Sequence, residues 1–185
     1  MNVSDALLFA YAALDGEIKG KTTLQKKMYF LGVMLNEDFG YGPHYYGPYS
    51  AKVAAANQEL KSLGYLSETK ASAGGVNDMG FEVARHDFSL TPDGRDVVAH
   101  KKSRMSHDWE RLNRAAKRLE NAGNLNYMEI SIAAKAYFLL EQQGKPARPE
   151  ELANLANKFG WTISPAEIEK ATEFLTELKL ATMAG

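Results

Sequence analysis

Apolar side chains recur every three or four positions in three stretches of the first 63 residues, a spacing that predicts amphipathic helices. The first helix is expected to end near Gly16, the second to occupy most of residues 23–40, and the third to run from about 50 to 63 before Gly64. The expected N-caps are Ser4 or Asp5 for the first helix and Thr22 or Thr23 for the second. The predicted inward positions are Leu7, Leu8, Tyr11 and Leu14, then Leu24, Met28, Leu31 and Leu35, then Val53, Ala56, Leu60 and Leu63.

The pattern changes after Gly64. Residues 65–70 and the alternating segment 81–90 predict two strands of a β-hairpin, and the glycine-containing stretch between them predicts a loose tip. A new helix is expected to begin near Pro92. Three helices followed by a hairpin are typical of a winged helix-turn-helix domain, which we place at residues 1–101.

The remainder of the chain is predicted to be helical. A connecting helix is expected within residues 102–124, and a helix-turn-helix-like portion within 125–185. In the latter, Ser164 followed by Glu167 forms the capping box of the last helix. The predicted fold class is therefore mainly α with a small β-hairpin. The connecting helix carries an apolar stripe, and its exposed part is expected to pair with a second copy in a homodimer. This stripe comprises Met105, Trp109, Leu112, Ala116 and Leu119.

Composition narrows the class of protein. The chain has 185 residues, of which 45% are hydrophobic and 24% charged, with a formal net charge of −1, as in an ordinary soluble globular protein. It has no cysteine, which excludes disulfides, thiolate metal sites and a cysteine nucleophile. No apolar run approaches the ~20 residues that span a membrane. We therefore expect a cytoplasmic protein without membrane attachment.

Motifs for catalysis are weak. The segment Gly16 to Thr23 ends in Gly-Lys-Thr, but three residues separate its two glycines where a phosphate-binding loop has four. It also follows a predicted helix, whereas such a loop follows a strand. The histidines show no metal-ligand spacing, and no nucleophile motif is present. We expect no enzymatic activity, no cofactor and no metal. The histidines are His44, His86, His100 and His107.

Two motifs at consistent separation resemble known families. Leu24-Gln25-Lys26, within TTLQKKMYFLG, and the segment 45–66, YYGPYSAKVAAANQELKSLGYL, resemble YwgA-like uncharacterised bacterial and archaeal proteins, as does SPAEIEKATEFLTELKLA near the C-terminus. A more distant resemblance connects the "LQK" helix and "YGP" segment with the phage-associated antitoxin family typified by SocA, the Panacea domain. The first family has no settled activity, so that resemblance implies a fold and leaves the function open. The second implies toxin neutralisation or work as a protein adaptor.

Two functions from different classes follow. The first is a DNA-associated regulatory role, because a winged helix lays its third helix in the major groove of double-stranded DNA. That helix has no arginine for guanine, and acids outnumber bases in the hairpin, which weakens the prediction. Its candidate contacts are Lys19, Lys21, Lys26, Lys27, Ser50, Lys52, Gln58 and Lys61.

The second function is binding of a protein partner through the tyrosine-rich segment 41–50, because tyrosines recur at interface centres. The same tyrosines would equally serve to cover the edge of the core, and the sequence leaves both interpretations open. The candidate contacts are Tyr41, Tyr45, Tyr46 and Tyr49.

Overall fold

The computed structural model describes residues 1–76 and 82–181. The helices are α1 (Val3–Ala13), α2 (Lys21–Leu35), α3 (Ala51–Ser62), α4 (Pro92–Arg104), α5 (Ser106–Asn121), α6 (Tyr127–Gln143), α7 (Pro149–Ala156) and α8 (Pro165–Glu177). The strands are β1 (Glu17–Lys19), β2 (Leu66–Val76) and β3 (Glu82–Leu90), and a short 3-10 helix occupies Asn157–Phe159. The mainly helical class with a small β part is confirmed.

The sheet has three antiparallel strands in the order β1-β3-β2, so the predicted hairpin forms two thirds of it. Its predicted loose tip, residues 77–81, lies outside the described residues. Strand β1 was not predicted, because Glu17-Ile18-Lys19 is too short to show alternation and lies next to the Gly-Lys-Thr segment. Ile18 pairs with Phe88 and both side chains are buried, which attaches β1 to the core.

Two predicted helix starts are wrong by a few residues. Asn2, and neither Ser4 nor Asp5, caps α1, and its side-chain oxygen accepts a hydrogen bond from the Asp5 N–H at 2.8 Å. Helix α2 begins at Lys21 after Gly20, without a side-chain cap. Helix α2 starts earlier than predicted because β1 ends at Lys19, and only Gly20 separates this strand from the helix.

Most of the remaining predictions of local structure are confirmed. Helix α3 ends before Gly64, α4 begins at Pro92, and Ser164 with Glu167 forms the capping box of α8. Leu63 is an exception, because 57% of its surface is exposed. The predicted boundary at residue 101 falls inside α4, which is separated from α5 at Met105.

One hydrophobic core runs from α1 to α8. Helix α5 packs against α1 and α2, and α6 packs against α2 and α8. The Phe30 and Phe174 rings meet edge to face at a centroid distance of 5.4 Å, joining α2 to α8. No helix in the described part of the chain is both long and apolar enough to cross a lipid bilayer.

The stripe on α5 packs inside the molecule. Leu112, Ala116 and Leu119 are buried, and Trp109 lies edge to face against Phe9 of α1 at 5.6 Å. Most of this stripe therefore belongs to the core, and Met105 and Trp109 are its half-buried members. Pairing with a second copy stays a prediction.

Candidate functional site

Residues 41–50, here called the tyrosine loop, lie between α2 and α3 and fold back on themselves. Gly42 and Tyr49 exchange two backbone hydrogen bonds of 3.0 and 2.9 Å. At the turn, the Gly47 N–H donates to the His44 carbonyl at 2.9 Å. Gly47 has a φ of +96°, and an added Cβ would lie 2.9 Å from Cγ of Lys135, so a larger residue fits poorly there.

Gln25 and Lys26 of α2 hold the second half of the tyrosine loop. The Gln25 side chain makes a pair of hydrogen bonds with Ser50: Nε2 donates to the carbonyl at 3.0 Å, and Oε1 accepts from the N–H at 2.9 Å. Lys26 Nζ donates to the Pro48 carbonyl at 2.7 Å. Since these are the residues of the two recognised motifs, the motifs are contact partners in one structural unit.

More distant residues fix the first half of the loop. Trp161, which follows the 3-10 helix, donates from Nε1 to the His44 carbonyl at 2.7 Å. Tyr41 donates from its hydroxyl to the Gln25 carbonyl at 2.7 Å, and its ring meets Tyr29 edge to face. The loop therefore has a defined shape although it contains neither a helix nor an extended strand.

The middle of the loop presents aromatic side chains to solvent. Tyr45 is 72% exposed and Tyr46 58%, and their rings contact each other edge to face at 4.9 Å. Tyr49 is 37% exposed and lies 5.0 Å from the His44 ring. Tyr41 differs from the other three, because its ring and hydroxyl are held against α2. Of the four tyrosines predicted to bind a protein, three are exposed together.

A cavity of about 360 Å³ lies beside these tyrosines, between the start of α2, the tyrosine loop and α3. Residues of both predicted sites line it together. They include Lys21, Lys26, Gln58 and Lys61 from the predicted DNA contacts and Tyr46 and Tyr49 from the predicted protein contacts.

Lys26 is the most unusual charge in this cavity wall. It is only 2% exposed, and burial together with the nearby positive charge of Lys135 lowers its pKa from 10.5 to about 8. Among the described residues, no carboxylate lies within 4 Å of its ammonium group. The cavity wall therefore contains a buried cation that has no counter-ion in the part of the chain that the structure describes.

Glu68 on β2 lines the same cavity and is fully paired. Lys61 Nζ of α3 lies 2.6 Å from one carboxylate oxygen, and His86 Nδ1 of β3 lies 2.5 Å from the other. Hydrogen bonds from Lys61 and His86 hold the pKa of Glu68 at about 2. Glu68 therefore stays ionised at neutral pH, and Lys61 neutralises it.

The predicted DNA contacts do not form a single surface. Ser50 is fully buried, since its Oγ donates to the Phe39 carbonyl and accepts from the Val53 N–H as the cap of α3. Lys26 is buried as described. Neither is accessible to a duplex, which corrects their assignment as phosphate contacts.

The other candidates point to different parts of the molecule. Lys27 lines a separate cavity with Leu119 and Phe174. Lys19 is exposed on β1 and pairs with Glu17 at 3.4 Å. Lys52 is exposed on α3, with its side chain close to Gly40. Lys21, Gln58 and Lys61 are the candidates that share the cavity.

Sequence patterns do not indicate the role of four residues that shape this site. Trp161 and Lys135 come from the C-terminal third, and their approach to the loop depends on how α6 and α8 pack. Asn57 is buried on α3 and accepts a 2.7 Å hydrogen bond from the Tyr11 hydroxyl. Glu68 is recognisable in the sequence as an acid of the hairpin, but its place in the cavity depends on how β2 pairs with β3.

Within residues 1–76 and 82–181, no three histidine or acidic side chains gather as potential metal ligands. The candidate site consists of the tyrosine loop, held in place by hydrogen bonds, and the positively charged cavity beside it. It lies on a mainly helical protein with a small antiparallel sheet.

The chain is similar to a protein of unknown activity. It is 27% identical over 166 residues, covering 89% of this chain and 90% of the relative, to "Uncharacterized protein YwgA" of Bacillus subtilis (strain 168). This similarity supports a YwgA-like family, as the motifs indicated. No protein-family model matches the chain.

Proposed function

We propose that this protein is a non-enzymatic binding module that docks a protein partner on the tyrosine loop. The observation that carries the proposal is the pair of solvent-exposed rings of Tyr45 and Tyr46 on a loop held by Gln25, Lys26 and Trp161. Large aromatic side chains at an exposed site are typical of interface centres. A loop that is already ordered loses little conformational entropy on binding.

The distant resemblance to phage-associated antitoxins suggests the class of partner. If the resemblance extends to function, the partner is a toxin protein that the module neutralises by covering its surface. The two motifs behind the resemblance build the tyrosine loop, which supports placing the interface there.

Affinity capture with matched baits tests this proposal. The lysate comes from cells that carry the natural gene of this protein. We expect the wild-type bait to enrich a specific partner, and the Tyr45→Ala, Tyr46→Ala double variant to recover none of that partner. The control is Tyr127→Ala, because Tyr127 is 60% exposed at the start of α6, on another element. Equal recovery by all three baits would refute docking on the loop.

Double-stranded DNA is the second candidate, because the chain order α1-β1-α2-α3-β2-β3 and the sheet order β1-β3-β2 are compatible with a winged helix-turn-helix. Helix α3 would then be the recognition helix, with Lys52 and Gln58 exposed on it. Against this, Lys61 is paired with Glu68, and the exposed tyrosines precede the end of α3 that would enter the groove.

Fluorescence anisotropy with a random-sequence duplex tests the DNA alternative. Binding through phosphates should weaken steeply between low and near-physiological salt. A Lys52→Glu variant should bind less tightly, while Lys158→Glu, on the 3-10 helix and outside the predicted DNA contacts, should behave like wild type. No binding at low salt would remove the DNA role.

A further inference from the structure

The cavity next to the tyrosine loop has an excess of positive charge. Its charged lining residues are Lys21, Lys26, Lys61 and Glu68. Since Lys61 neutralises Glu68 at 2.6 Å, two lysines remain without a counter-ion among the described residues. Lys21 is exposed at the first turn of α2, and Lys26 is buried behind it.

A buried cation is costly unless an anion or several hydrogen bonds compensate it. Among the described residues, Lys26 Nζ has one hydrogen-bond acceptor, the Pro48 carbonyl, although an ammonium group has three donors. Its charged neighbour Lys135 has the same sign and lowers the pKa of Lys26 further. Both features favour an anionic ligand at this position.

The cavity is also continuous with the proposed docking surface. Tyr46 and Tyr49 contribute to both, so a partner that covers the exposed rings can insert a side chain between them and α3. A volume of about 360 Å³ suits a small group, since ligand sites commonly span about 300 to 1,000 Å³.

We infer that the cavity receives a carboxylate of the protein partner, carried by an aspartate or glutamate side chain or by a chain terminus. The inference rests on the proposed function and adds the chemistry of the partner's anchor. Lys21 contacts the carboxylate at the entrance, and Lys26 supplies the compensating buried charge. The exposed tyrosines cover the apolar residues on either side of the anchor.

Selection of short random peptides displayed on phage, with the complete protein as target, tests this inference. We expect the selected peptides to be enriched in acidic residues beside aromatic or aliphatic ones. A synthetic selected peptide should bind about tenfold more weakly to Lys21→Gln, and replacing its acid by the amide should cause the same loss. Lys27→Gln is the control, since Lys27 lines a different cavity on the same helix.

A second measurement follows Lys26 itself by ¹³C NMR of its Cε atom. A bound carboxylate should raise the pKa of Lys26 above its value of about 8 in the free protein. If Lys26 serves only to hold the Pro48 carbonyl, the peptide leaves that pKa unchanged, and the inference is overturned.

The outcomes separate this inference from the proposed function. One outcome is that the selected peptides are neutral, bind wild type and Lys21→Gln equally, and do not bind the Tyr45→Ala, Tyr46→Ala variant. This outcome would support the docking surface and refute the carboxylate anchor. Peptides indifferent to the tyrosines, or no selected peptide, would refute both. A DNA duplex could instead displace the peptide, with a binding affinity that falls in Lys21→Gln. That result would assign the cavity to a phosphate group and overturn the inference.

Discussion

At the scale of single residues, Gln25 and Lys26 supply hydrogen bonds that a neighbouring strand would otherwise provide. The Gln25 amide pairs with both backbone groups of Ser50, and Lys26 satisfies the carbonyl of Pro48. All these groups are buried, so each would carry a desolvation penalty if its partner were removed. The loop therefore depends on two side chains of one helical turn.

Replacing Gln25 should be costly. In Gln25→Ala, the buried Ser50 N–H loses its acceptor, while the Ser50 carbonyl keeps only the hydrogen bond from the Ala54 N–H. We expect the free energy of unfolding to fall by about 1 to 3 kcal/mol. Urea denaturation followed by circular dichroism measures the change. Gln58→Ala, at an exposed glutamine of α3, should shift stability by less than about 0.5 kcal/mol. A small effect at Gln25 would contradict the role assigned to its amide.

Lys26 should leave a signature in the pH dependence of stability. Its folded pKa of about 8 is below the ordinary 10.5, so between these values the unfolded chain holds a proton that the folded protein has released. The unfolded state binds more protons there, and the free energy of unfolding rises with pH. We expect wild type to gain up to about 3 kcal/mol relative to Lys26→Met between pH 8 and 10.5.

Denaturation of wild type and Lys26→Met across this pH range gives the free energy of unfolding of each. The tyrosines titrate in both proteins, so their contribution cancels in the difference. Lys27→Met is the matched control, because Lys27 is the adjacent and less buried lysine. If the two lysine variants show parallel curves, the burial of the Lys26 charge has no thermodynamic consequence.

At the scale of elements, the beginning of α4 is locked to the junction between α3 and β2. Thr91, the cap of α4, accepts from the Gly94 N–H and donates to the Gly64 carbonyl at 2.7 Å. Gly94 packs so closely that an added Cβ would lie 2.1 Å from the Tyr65 carbonyl oxygen. Backbone contacts of this kind position the sheet relative to α3 and α4.

Gly94→Ala should therefore displace α4. The clashing atom is the backbone oxygen of Tyr65, so the clash is relieved only if α4 moves away from it. We expect the free energy of unfolding to fall by about 1 to 3 kcal/mol. Thermal unfolding followed by circular dichroism measures it. Gly42→Ala is the control, since an added Cβ there meets nothing within 4 Å. Equal melting temperatures for the two variants would refute the lock.

Sequence patterns predicted elements better than their contacts. The capping box of Ser164 and the end of α3 before Gly64 were readable because caps and breakers act locally. Strand β1 was missed because three residues carry no periodicity, and only pairing with β3 defines it. The buried state of Lys26 was missed for a similar reason, since its acceptor at Pro48 lies 22 positions away and in a loop.

At the scale of the whole molecule, one hydrophobic core includes residues from all three predicted portions of the chain, namely 1–101, 102–124 and 125–185. Tyr29 of α2 donates to Glu141 of α6 at 3.0 Å, and its ring contacts Tyr137. Arg118 of α5 donates to the Leu178 carbonyl at the end of α8. The N-terminal residues therefore rely on the C-terminal helices for burial.

A fragment ending at Arg104 should not fold cooperatively. It would expose the faces of α1 and α2 that α5, α6 and α8 cover, including the ring of Phe9, which contacts Trp109, and the ring of Phe30, which contacts Phe174. We expect a broad urea transition for this fragment and one sharp transition for the complete chain. A sharp transition of the fragment at a midpoint near that of the complete chain would show that residues 1–104 are an independent domain.

The attachment of the tyrosine loop has a consequence for proteolysis. Tyr45 and Tyr46 offer exposed aromatic residues at a loop, the position where chymotrypsin would normally cut a native protein first. A protease must draw an extended segment into its cleft, and here that requires breaking the contacts with Gln25, Lys26 and Trp161 together. Cleavage after these tyrosines should therefore be slow in the native protein and accelerate when Trp161 is replaced by phenylalanine, at a position more than one hundred residues away along the chain.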